Sequence, residues 1–202
     1  MRLILTVLAA GLLAACSNQA ARPTSAASAP APNRANPVAN PDGTYKQQDV
    51  LSAAEDVFGR GAKGLAEIIE RSFRERGEPS AYIVGREAGG AFVVGVRYGS
   101  GTMFHKVEGQ QPVFWTGPSV GFDAGADASR TFILVYNLND TADLFKRYPA
   151  GEGKAYFVGG FGATYLQRDD VVLVPIKLGV GLRLGVNAGY LNFTRELKKV
   201  PL

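Results

Sequence analysis

The chain of 202 residues is poor in the side chains that carry most metal and nucleophilic chemistry. It has one cysteine, Cys16, one histidine, His105, and one tryptophan, Trp115. A single cysteine excludes an intramolecular disulfide. One cysteine and one histidine cannot supply a Cys/His zinc set, so no metal is expected. A Ser-His-Asp triad would have to use His105, and the G-x-S-x-G turn that presents a nucleophilic serine is missing; Tyr98-Gly99-Ser100-Gly101 has the wrong spacing. His105, between Phe104 and Lys106 in a strand-like run, reads as a satisfied or surface histidine. Charge of one sign is also lacking. The 22 Lys and Arg residues against 18 Asp and Glu leave a formal +4, scattered along the chain, which argues against a nucleic-acid footprint. The glycine-rich pieces Gly159-Gly160-Phe161-Gly162 and Gly179-Val180-Gly181 lack dinucleotide spacing and precede strands, so no cofactor is expected.

What is present begins at the N-terminus. Arg2 is followed by the apolar run Leu3 to Leu13, a basic start and short apolar core of the kind found in secretory signals. The run falls short of the roughly 20 residues that span a bilayer. Leu13-Ala14-Ala15-Cys16 resembles the lipobox of bacterial lipoproteins. The resemblance implies cleavage after Ala15, acylation of Cys16 and a membrane partner held through that lipid; an ordinary cleaved signal with a chance cysteine is the alternative. Ser17 at the next position favours the outer membrane, inner leaflet, facing the periplasm. Ser17 to Asp42 is rich in Ala, Pro, Ser and Asn and has no aromatic residue. Such a segment is expected to be a disordered tether, averaging roughly 30 Å as a coil and reaching on the order of 80 Å if stiffened by proline. The expected organisation is therefore residues 1–15 signal, 16–44 lipidated cysteine and tether, and 45–202 folded domain.

Within the domain, Gln47 to Phe58 and Ala62 to Arg76 carry apolar residues at helical spacing. Gly59 and Gly61 break the first, and Gly77 with Pro79 ends the second. From Ser80 the pattern turns to period two. Strands are expected near 81–84, 91–98, 101–107, 113–116, 131–136, 154–160, 163–167, 171–176, 178–184 and 190–195, with a helical turn at 144–148 and a hairpin turn at Asp169-Asp170. With 25 glycines, many inside these runs, the fold class expected is mainly β with α. It would be a small antiparallel β-barrel of about ten short strands with one or two N-terminal helices packed on it.

The centre of the pattern is Pro112 to Asn137, PVFWTGPSVGFDAGADASRTFILVYN, where turns are expected at Gly117-Pro118 and Asp123-Ala124-Gly125 before the strong strand Thr131 to Tyr136. This stretch, with Ala91 to Lys106, resembles the envelope integrity protein A family of alphaproteobacterial periplasmic proteins over about Asp49 to Val200. The resemblance implies a small barrel with a modest apolar cavity, a link to envelope integrity and to resistance against cell-wall-directed antibiotics, and no established enzymatic activity. A more distant similarity, helix then Gly95, Tyr98, Gly99 and Gly101, is to SYLF domains, which hints at lipid binding.

The candidate site residues follow. Tyr98, Phe104, Phe114, Trp115 and Phe122 could line a ligand cavity or simply fill the core. Asp123, Asp127 and Arg130 form the best polar cluster; they could hold a polar ligand or set loop turns by pairing together. Two functions are left by the sequence. One is a non-catalytic, lipid-anchored envelope protein whose barrel takes a lipid or an envelope-protein partner. The other is an envelope-acting hydrolase built on two facing carboxylates.

Overall fold

The computed structural model describes residues 43–123, 129–150, 155–178 and 189–197; of these, 90–94 and 119–123 are described in backbone only. Two helices come first, α1 (Gln47–Phe58) and α2 (Leu65–Arg76). Nine strands follow: β1 (Ala81–His105), β2 (Gly109–Asp123), β3 (Ser129–Tyr136), β4 (Arg147–Pro149), β5 (Tyr156–Val158), β6 (Phe161–Ala163), β7 (Leu166–Arg168), β8 (Val171–Leu178) and β9 (Tyr190–Thr194). All pairs are antiparallel, in the order β4-β9-β2-β1-β3-β8-β6-β5, with β7 also on β8. The sheet curls so far that a bridge from Ala150, after β4, to Leu166 of β7 joins the two sides of the curl. The mainly-β, barrel-like class expected from the sequence is the one observed, with both helices packed on the sheet.

Helix α1 has the expected bounds, and α2 starts three residues later than expected. Gly64 takes φ 85 ahead of Leu65, a left-handed conformation that glycine adopts without strain. The expected hairpin turn is present: β7 and β8 are joined by Asp169 and Asp170, Asp169 at φ 52. The helical turn expected at 144–148 lies earlier, at 141–144, and 147–148 are strand. Asp140 caps a 3-10 turn over Thr141–Leu144, accepting from the Ala142 N–H, and the chain then becomes β4.

Two expected interruptions are corrected. The strands expected at 81–84, 91–98 and 101–107 are one 25-residue strand, β1. Its first part, 81–87, pairs with β3, and its second, 91–105, with β2. It therefore belongs to two halves of the sheet and bends between them. Straight, Glu87 and Arg97 would lie roughly 33 Å apart; their side chains are 3.9 Å apart. Gly85 and Gly101 lie where these halves meet: a Cβ on Gly85 would lie 3.1 Å from the Gly101 Cα. The turn expected at Gly117-Pro118 is also absent, because β2 runs through it. Pairing with β9 stops at Thr116, so Pro118 sits where one side of β2 has no ladder partner among the described residues, the setting proline tolerates in a strand.

Alternation along the strands separates two cores. Among the described side chains, odd positions of β1, β2, β3, β8 and β9 point into the curl. There Ala81, Ile83, Met103, Val113, Trp115, Ile133, Val135, Leu173, Leu191 and Phe193 pack with Tyr148 and Leu166. Even positions point outward, and Tyr82, Phe132, Leu134, Tyr136, Val174 and Ile176 bury against Val50, Ala54, Leu65, Ile68 and Ile69 of the helices. Tyr82 anchors this second core, stacking on Phe104 at 4.9 Å and Phe132 at 5.4 Å between ring centroids.

Candidate functional site

The described interior of the curl is apolar along its middle and polar towards each pole. Glu87, only 7% exposed, faces inward from β1. Its Oε2 accepts from Trp115 Nε1 at 2.8 Å. Its Oε1 accepts from Lys177 Nζ of β8 and lies 3.9 Å from the Arg97 guanidinium. Three strands thus converge on one carboxylate. Burial alone would raise the pKa of Glu87, but Lys177 and Arg97 outweigh it and hold the carboxyl below the usual range. It is the only buried carboxylate among the described residues. The inward-facing Thr131, cross-strand from Lys177, has a buried hydroxyl without a hydrogen-bond partner.

The arrangement depends on glycine. The Trp115 ring lies on Gly99, where any Cβ would collide with it, and its far edge reaches Gly85, where a Cβ would lie 2.6 Å from Cη2. Tyr98-Gly99-Ser100-Gly101 is therefore a bed for the indole, which aims Nε1 at Glu87.

The opposite pole holds His105, 3% exposed. The Glu108 N–H donates to its Nδ1 at 3.1 Å, and its Nε2 lies 2.8 Å from the Leu138 carbonyl. Since Nδ1 accepts, the proton resides on Nε2, which donates to Leu138. Both ring nitrogens are thereby satisfied. Glu108 in turn accepts from the Thr141 hydroxyl and N–H, which holds the carboxyl below its usual range. The pair ties the β1–β2 hairpin to the loop after β3.

The five aromatic candidates do not line one pocket. Trp115 is inside. Tyr98 pairs with Thr116, Phe104 with Gln110 and Phe114 with Ser100, so by alternation all three face outward, and Phe104 packs in the helix-side core. Adjacent residues of a strand point to opposite faces, which separates Phe114 from Trp115. The side chain of Phe122 lies outside the described residues, as do those of Asp123 and Asp127, and Cys16 with residues 1–42. The third member of the expected polar cluster, Arg130, donates to the Val57 carbonyl at 2.7 Å and so closes the end of α1.

Sequence reasoning missed Glu87, Arg97 and Lys177. The available signal was parity: Glu87 shares it with Ile83, Arg97 with Met103, and Lys177 with Leu173. Among the described residues no group of three or more His, Cys, Asp or Glu side chains could hold a metal ion, and no helix is long and apolar enough to cross a membrane. The buried carboxylate faces two cations and not a second carboxylate.

No curated protein matches the chain. A crystal structure of a beta-barrel-like, uncharacterized protein from Brucella abortus is similar at 42% identity and a TM-score of 0.72, covering 79% of this chain and 99% of that one. Residues 43–202, the whole of the fold just described, match the family of envelope integrity protein A. The chain is a member of the envelope integrity protein A family.

Proposed function

We propose that this is a non-catalytic lipoprotein of the periplasm that supports envelope integrity, anchored through Cys16 to the inner leaflet of the outer membrane. The observation that carries this reading is the only cysteine of the chain standing directly after Leu13-Ala14-Ala15, behind an apolar segment and ahead of an Ala/Pro-rich tether. Two or three acyl chains give stable anchoring, at about 0.8 kcal/mol per buried CH2. Family membership supports the envelope role. The interior supports a scaffold more than an active site, since Glu87 is consumed by Trp115 and Lys177. A two-carboxylate hydrolase needs facing acids about 5–9.5 Å apart, whereas the groups acting on Glu87 are the cations Lys177 and Arg97 and the Trp115 N–H. A lipid or envelope-protein partner of the barrel belongs to the same reading.

The test is a deletion strain challenged with detergent and β-lactams. Sensitivity restored to normal by the intact gene, but not by a Cys16→Ser form, is the expected result. Normal resistance in the deletion strain would overturn the envelope role. Full rescue by Cys16→Ser would overturn the need for the anchor.

A further inference from the structure

The outward face of the sheet carries an unusual juxtaposition just beyond the end of α1. Arg86 of β1 and Arg130 of β3 are direct cross-strand partners. Like charges placed opposite each other destabilise a sheet, so the pair works against the fold. The next strand brings Leu178 beside Arg130, one step past the Thr131–Lys177 pair, and Leu178 is 51% exposed. A Cβ on Gly160 would lie 3.9 Å from Leu178 Cδ1, and the Lys63 carbonyl packs against Gly159. Arg60 follows α1, whose Val57 carbonyl holds Arg130.

Arg60, Lys63, Arg86 and Arg130 are all exposed. Among the described residues the first three make no hydrogen bond or ion pair through their side chains, in contrast to Arg71 and Arg74 of α2, which pair with Glu75 and Glu70. Of the acids in the last turn of α1, Glu55 accepts from the Gly61 N–H, and Asp56 has a partner of its own. The result is a set of exposed cations around an exposed leucine.

We propose that this patch docks the domain on anionic lipid headgroups at a membrane surface. The charges suit phosphate groups, each basic side chain near such a surface contributing a measurable attraction, while Leu178 can enter the interfacial region. The inference rests on the reading that Cys16 holds the domain at a membrane, since a tether confines it within tens of ångströms of that surface. Docking would lay the end of the domain that holds Arg86, Arg130 and Leu178 against the lipid.

The test uses the mature chain from residue 16, with Cys16→Ser and without the apolar run Leu3 to Leu13, so that vesicle binding is scored independently of whether Cys16 is acylated in cells. Cosedimentation is measured with phosphatidylcholine vesicles and with vesicles about one-third phosphatidylglycerol, at about 0.1 M salt, where the Debye length is about 10 Å. Binding to the anionic vesicles only, weakened by added salt, is expected. Lys63→Gln with Arg86→Gln should lower the partition coefficient about 25-fold, roughly fivefold per charge, with thermal stability equal to or slightly above the parent's, since the Arg86–Arg130 repulsion is relieved. Arg74→Gln, which removes one charge elsewhere, should change it by no more than about twofold, because screening confines the attraction to charges near the surface. Equal binding to neutral vesicles, equal losses in the Arg74 variant, or no loss in the double variant would each overturn the proposal.

Discussion

Replacing Glu87 with glutamine isolates the charge on which three strands converge. The amide keeps the length of the side chain and one acceptor, but leaves Lys177 and Arg97 without their shared carboxylate in the interior. Removing one partner of a buried ion pair costs about 3–5 kcal/mol, because the remaining charge stays desolvated. For a domain of this size about 1 kcal/mol corresponds to 2–4 °C, so the midpoint should fall by roughly 6–20 °C at neutral pH. The pH dependence has a definite sign. The folded state holds the Glu87 carboxyl below its usual range, so its contribution is complete above the unfolded pKa of about 4.3 and fades as pH falls through the lower folded value. The parent loses this contribution in acid and the variant has none to lose. The gap between them should therefore narrow below about pH 4. Thermal scans followed by Trp115 fluorescence read both effects, since the indole donates to the same carboxylate. A variant within about 1 kcal/mol of the parent at neutral pH, or a gap that stays constant on acidification, would refute the reasoning.

Other substitutions test other parts of the fold. Gly99→Ala places a methyl group into the Trp115 ring and should cost at least 1–3 kcal/mol, the usual range for overpacking, with a shifted tryptophan emission; unchanged stability and emission would mean that the indole does not lie on Gly99. His105→Leu strands the Leu138 carbonyl and the Glu108 N–H, each worth about 1–3 kcal/mol if left unsatisfied, and a large loss by chemical denaturation is expected, with His105→Gln intermediate. Ile69→Ala, at a fully buried helix position, should cost about 2–5 kcal/mol; a smaller loss would mean that α2 is not packed as described.

Much of the fold was legible because local signals agreed with packing. Val50 and Ala54 repeat at helical spacing and both are buried in α1, and Gly59 ends the helix where it was expected. Thr131 to Tyr136 is apolar on both faces because one face meets the barrel interior and the other meets the helices. The misreadings share one physical cause. Glycine within a strand can mark a turn or a place where another backbone or ring comes close, and local sequence does not distinguish them. Gly85, Gly99 and Gly101 are places of close approach, and dividing β1 into 81–84, 91–98 and 101–107 lost its parity. With it went the inward direction of Glu87, between two of those pieces, and of Arg97. Nor could the chain order show that Lys177, 90 positions from Glu87, would reach the same carboxylate. Period-two alternation, applied across Phe114 and Trp115, was enough to separate them, yet their adjacency had suggested a single aromatic pocket.

The proposed anchor meets its most direct test in the mass of the mature N-terminus. Protein extracted from native membranes in detergent is digested, and its N-terminal peptide is measured beside that of the Cys16→Ser form. A peptide beginning at Cys16 and carrying a diacylglyceryl group, present in the parent and missing from the variant, is the expected result. An unmodified cysteine, or cleavage at another position, in protein recovered from the soluble fraction would contradict the lipoprotein reading.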